Sequence, residues 1–141
     1  MVSFLDPATV HNPGPAYSHS AVVPAGTELV FLSGQVGIRP DGSTPASVAE
    51  QADQVFANIA ALLAAHGLGT SALVKLTTFL VAGQDIQVVR AARSRFLGGH
   101  RPASTLVYVS QLAERTWHVE VEAIAARSSA ASTDGTTEKQ P

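Results

Sequence analysis

Residues 101–109 read RPASTLVYV. After Pro102 the β-branched and aromatic run reads as a strand. Two small hydroxyls, Ser104 and Thr105, stand at its mouth. Such hydroxyls can hydrogen-bond a ligand, or attack one if a base is at hand. Neither Ser104 nor Ser33 has a recognisable His–acid partner or a nucleophile-elbow setting, so serine hydrolysis is not indicated. The histidines, His11, His19, His66, His100 and His118, show no i, i+4 or H-x-H spacing, so no metal site is expected. The chain has no cysteine, which removes disulfides, thiolate metal ligands and Cys nucleophiles. Gly-rich phosphate loops are absent, and no cofactor is expected.

The elements that must position these groups follow from periodicity. Residues 1–16, rich in Pro, Gly and Asn, read as an irregular leading segment. Tyr17–Val23 and Leu29–Gly37 read as strands, and Asp41-Gly42 marks a turn. Residues 47–66 give the strongest helical signal. Val48, Ala52, Val55, Phe56, Ile59, Leu62 and Leu63 recur every three or four residues as one apolar stripe. Ser47 with Glu50 fits a capping box, and Gly67 supplies a left-handed stop with Leu68 packing back. Leu73–Val81 reads as a strand with Val74, Leu76 and Leu80 on one face and Lys75, Thr77 and Phe79 on the other. Residues 85–96 form a weaker helix with Ile86, Val89 and Phe96 inward, ended by Gly98-Gly99. Residues 104–109 and 118–125 are the last strands, and a short extra strand is allowed at 36–39.

The order β-β-α-β-α-β-β places two amphipathic helices on one face of one mixed sheet, an α+β fold. The bare sheet face then gathers Leu106, Tyr108 and Phe79 beside Glu120. That is too apolar for open water and too polar for a sealed core, and it suits subunit contact with clefts between protomers. Residues 1–127 form the expected single domain. The polar stretch 128–141 lacks large apolar side chains and is expected to be mobile.

Composition points the same way. Charged residues make up 14% of the 141 positions, well below the usual share of about 25%. A covered surface, most simply a homo-oligomer, accounts for the shortage. The net charge of -2 and the lack of a basic run give no support to nucleic-acid binding. The first ten residues, MVSFLDPATV, lack a basic n-region and a long apolar run, so no signal peptide is expected. No stretch reaches membrane-spanning length, and a cytoplasmic location without membrane partners is the expectation.

Taken together, Tyr17-Ser18, Ser33-Gly34-Gln35, Gln51–Asn58, Val74-Lys75, Arg101-Pro102-Ala103 and Val119–Ala125 resemble the Rid/YjgF family in order and spacing, from about Pro13 to Arg127. The resemblance implies a chorismate-mutase-like fold and a homotrimer with three inter-subunit clefts. It also implies hydrolysis of enamines and imines of α-amino acids, such as 2-aminoacrylate, to a 2-keto acid and ammonia.

The same resemblance assigns roles to single residues. Deaminating members carry an Arg just after the Pro-Ala pair, where a planar guanidinium grips the substrate carboxylate in bidentate fashion. This chain has Ser104 there, and Leu106 where the family often has Cys. Glu120 matches a carboxylate proposed to handle water or protons; a strand carboxylate or an inter-subunit ion pair is the plainer reading. Tyr17 matches a tyrosine lining the cleft, or else is an interface aromatic. Ser33 either hydrogen-bonds the ligand or serves close backbone packing. Arg90 stands where the family often has Asn, on a ridge neighbouring that of Arg93. It either restores carboxylate binding from another wall, or lies with Arg93, Arg95 and Arg101 on a solvated surface, as most charges do. Glu120 and Tyr17 are thus the expected catalytic residues, and Ser33, Arg90, Ser104, Thr105 and Leu106 the expected substrate contacts. The expected ligand is a small carbonyl or imine metabolite. The function readings are a hydrolase with specificity altered by the missing Arg, or a non-catalytic ligand-binding or regulatory trimer. A ribonuclease or translation inhibitor, a historical label of the family, has no support in the charge balance.

Overall fold

A computed structural model of the chain describes residues 1–128; the stretch expected to be mobile lies, beyond Ser128, outside the described residues. The elements are β1 (Ser3–Leu5), β2 (Ser20–Val22), β3 (Glu28–Val36), α1 (Val48–Ala65), β4 (Leu73–Val81), α2 (Ile86–Leu97), β5 (Ala103–Val109) and β6 (Val119–Arg127). A four-stranded sheet runs β3-β6-β4-β5, with β4 and β5 parallel and the other pairs antiparallel. The β4-α2-β5 crossover makes that one pair parallel. This is the expected α+β arrangement of two helices on a mixed sheet, but the strand expected over Tyr17–Val23 is confined to Ser20–Val22 and lies outside that sheet.

Three local expectations need correction. The leading segment is not wholly irregular: β1 pairs with β2 as a separate two-stranded ribbon. Residues 36–39 form no extra strand; Ile38 N–H instead turns back onto Val36 O at 2.8 Å. The third concerns faces. Leu76 pairs with Ser104 and Phe79 pairs with both Val107 and Glu120. Ser104, Leu106 and Tyr108 therefore share the helix side of the sheet, while Phe79, Glu120, Thr105 and Val107 share the bare side. Alternation alone gives the two faces of β5 but not which of them turns to the helices; the parallel register with β4 decides it.

Helix α1 begins where Ser47 Oγ accepts from Glu50 N–H at 3.2 Å. It ends in a Schellman pair, with Leu68 N–H on Leu63 O and Gly67 N–H on Ala64 O, at Gly67 with φ of 70°. Ala52, Val55, Phe56, Ile59 and Leu63 form its core stripe. Phe56 stacks on Phe96 of α2 with centroids 5.0 Å apart. The core closes with Leu76, Leu80, Val89, Leu97, Val119 and Val121.

One buried polar residue fixes a loop. Gln51, fully buried on α1, donates to Pro45 O (2.9 Å) and Thr116 O (2.8 Å) and accepts from His118 N–H (2.8 Å). It ties both flanking loops to the helix without an unmet donor. Gly37 lies so close that a Cβ there would stand 2.7 Å from Gln51 Cα. Among the described residues no helix is long and apolar enough to cross a membrane.

Candidate functional site

The segment before β2 is stitched to the start of β5. Ser18 N–H donates to Pro102 O (3.1 Å) and Ser18 Oγ to Arg101 O (2.6 Å), and Ser18 bridges Ala103 in parallel fashion. Arg101 pairs with Asp6 at 2.6 Å and donates to Tyr17 O at 3.3 Å, so it is a fastener rather than a free surface charge. These bonds hold Tyr17 against the mouth of β5.

Helix α2 forms the opposing wall. Asp85 caps it by accepting from Gln87 N–H (2.9 Å), and Gly98 stops it in the left-handed conformation. Positions 90, 93, 94 and 97 fall at helical spacing on one stripe. Between this stripe, Tyr17 and β5 lies a cleft of about 640 Å³. Tyr17, Arg90, Arg93, His100, Ser104 and Leu106 line it, together with residues of the Pro13–Ala16 segment. His100 is fixed by Leu73 O at 2.7 Å and by an edge-on contact with Phe4 of β1.

The electrostatics of the cleft are one-sided. Among the described residues no Asp or Glu lines it, and two arginines do. Arg93 is only 8% exposed. Burial first, and then the like charge of Arg90, press its guanidinium below the ordinary value. The expected surface position of Arg93 is thus corrected. It lies four residues from both Val89 and Leu97, within the apolar stripe of α2, and that spacing was the available signal.

The remaining expected residues lie elsewhere. Thr105, on the bare face, accepts from Lys75 Nζ at 2.7 Å. The Glu120 side chain lies over Gly34, next to Ser33, also on the bare face. A smaller depression on that face is lined by Phe31, Lys75, Thr77, Glu122 and Ile124. One protomer therefore gathers Tyr17, Arg90, Ser104 and Leu106 in one cleft, and holds Ser33, Thr105 and Glu120 across the sheet from it.

The family described as endoribonuclease L-PSP matches residues 9–127. The 2-iminobutanoate/2-iminopropanoate deaminase of Escherichia coli K12 is 36% identical over 103 residues, covering 70% of this chain and 80% of its own. The structure of the Rid-family protein YyfB from Yersinia pestis superposes with a TM-score of 0.82 at 25% identity, covering 89% of this chain and 98% of that one. E. coli TdcF, solved with bound serine, superposes with a TM-score of 0.67 at 32% identity, covering 79% and 88%.

Proposed function

The chain belongs to the Rid/YjgF family, and we propose on that premise that it hydrolyses a small enamine or imine in clefts completed between the subunits of a homotrimer. The observation that carries this is the convergence, in one cleft of ligand size, of Tyr17, which matches the family, with Ser104 and Leu106, which depart from it just after the family-matching Arg101-Pro102-Ala103. The deaminase relative supports the reaction class, and the serine held by TdcF supports an amino-acid-like ligand.

In the reaction, an enamine first tautomerises to the imine, and water then adds to the C=N carbon. A carboxylate takes one proton from the attacking water and passes it to nitrogen, giving the carbinolamine. It then takes the remaining hydroxyl proton and passes that to nitrogen too, so that ammonia leaves as the C=O bond forms. Glu120 is the residue for that proton, delivered from the bare sheet face of a neighbouring subunit. Ser104 lacks the charge that a family Arg offers a carboxylate, so the preferred substrate differs from 2-aminoacrylate. The absence of Glu120 from its own protomer's cleft equally favours a second reading, a trimer that binds such metabolites without turning them over.

A screen of imines generated in situ, with ammonia release as readout, separates the two. For a hydrolase, Glu120→Gln lowers turnover on the best substrate by about 10²-fold or more, with ligand affinity changed far less. Unchanged turnover in that variant removes Glu120 from the reaction. Ligand binding with no ammonia release from any imine leaves the binding module.

A further inference from the structure

We propose that Arg93 is the anion-binding residue of the cleft, with Arg90 at its rim, and that the pair selects a dianionic ligand of the 2-oxo- or 2-imino-dicarboxylate class. The inference rests on the reading of this cleft as the ligand site.

The fold treats Arg93 unlike Arg95, Arg101 and Arg127. Arg95 pairs with Asp53 (3.0 Å), Arg101 with Asp6 (2.6 Å) and Arg127 with Glu28 (3.3 Å). Arg93 is more deeply buried than any of these, yet it makes no hydrogen bond or ion pair among the described residues. Buried Gln51, by contrast, has its amide fully engaged. The guanidinium nitrogens of Arg93 are not fully enclosed, so the little water contact that Arg93 keeps is at the charged end, where no protein acceptor meets it; a largely buried charge without an acceptor is costly. Its five donors sit in a fork that fits a carboxylate edge to edge. Arg93 lines the cleft, and among the described residues the cleft has no acid in its lining.

Arg90 raises that cost rather than relieving it. It lies three residues earlier on the same helix stripe, where like charges repel. A single bound carboxylate compensates one of the two charges. The helix rise separates the two Cα atoms by about 4.5 Å along the axis, a span that a four- or five-carbon diacid bridges. One carboxylate would then lie on Arg93 in depth and the other on exposed Arg90 at the mouth. The hydroxyls of Ser104 and Tyr17 remain for the polar atoms between. Replacement of the family guanidinium at position 104 by a small hydroxyl makes room on the β5 wall for this transfer to α2.

Calorimetric titration of the full-length protein with 2-oxoglutarate and with 2-oxobutanoate tests this without requiring turnover. The wild type should bind the diacid at least about tenfold more tightly, one charge-assisted contact being at stake. Arg90→Gln should bring the two probes within about twofold of each other, and Arg93→Met should abolish both. Arg93→Met should also raise the melting temperature of the ligand-free protein, because it replaces an unpaired buried charge with an apolar chain of similar length. Equal affinity for the two probes in the wild type, retained binding in Arg93→Met, or no binding of either probe would overturn the proposal. So would a lower melting temperature or lost assembly in Arg93→Met, which would mean that a carboxylate of a neighbouring copy holds the guanidinium. Diacid binding that depends on Arg93, with no ammonia released from any imine, would leave this proposal standing and defeat only the hydrolase reading.

Discussion

The Glu120 carboxylate owes its position to a missing side chain. A Cβ at Gly34 would stand 2.1 Å from Glu120 Oε1 and 2.9 Å from its Cδ. Only glycine lets the carboxylate fold down over β3, so the Ser-Gly pair has a steric reason that does not depend on Ser33 touching a ligand. Gly34→Ala should therefore push the carboxylate aside. The end of a glutamate side chain moves at little cost, so melting should shift by no more than a few degrees. Turnover on the substrate found by the imine screen should fall about tenfold or more, as expected when a proton-transfer group is displaced. An alanine variant with wild-type turnover would show that the carboxylate need not lie there. At this scale the sequence is only half legible. Residue types at Tyr17, Ser104, Leu106 and Glu120 are visible in the string, and the family pattern gives them roles. That Arg93 turns inward was hidden, because charge argues for exposure and its place in the Val89–Leu97 stripe argues for burial. Nothing in the string weighs one against the other.

The elements were legible where period and punctuation agree. Both helices fall within a residue or so of the bounds set by their apolar stripes, Ser47 and the glycine stops. Strand β1 was not, because SFL is too short to show a period and its stability comes from pairing with residues 20–22. Nor was the face of β5 that turns to the helices, as the period of two says nothing about a parallel partner. The contact of β3 with α1 depends on Gly37, where a methyl would meet Gln51 Cα at 2.7 Å. That neighbour is backbone and cannot swing away. Gly37→Ala should cost about 1–3 kcal/mol, the range of core overpacking, read as a lower midpoint in denaturant. The opposite sign is expected on β4. Thr78 is 1% exposed and its Oγ1 has no hydrogen-bond partner among the described residues. Thr78→Val keeps the shape and removes the orphaned hydroxyl, and should stabilise the fold by about 1 kcal/mol. If the valine variant unfolds at lower denaturant, the hydroxyl is satisfied in solution.

For the whole molecule, the division of the expected site across the sheet is the central fact. The cleft with its two arginines lies on one side, and Glu120 on the other, where Phe31 is 70% exposed and Leu29 and Val107 more than 40%. A chain with few charges and such a bare sheet face gains by covering it with another copy. In the homotrimer we propose, that packing brings the Glu120 of one subunit to the cleft of the next. Two damaged chains should then repair each other. Ser104→Trp fills the cleft but leaves the Glu120 face intact; Glu120→Gln does the reverse. Co-expressed in equal amounts and assorting at random, they place an intact cleft against an intact face at about one site in four, half of the clefts meeting half of the faces. Ammonia release should return to about a quarter of the wild-type level in the co-expressed population as a whole, about one site in three within each mixed trimer and none in the parental trimers, while each parent alone stays near background. Sites built within one protomer would return nothing, since every chain carries one lesion. A monomer by light scattering at micromolar concentration would rule out the shared cleft before any mixing is done. Recovery near a quarter requires that catalysis be shared between neighbours, because no rearrangement inside a single chain can restore what that chain lacks.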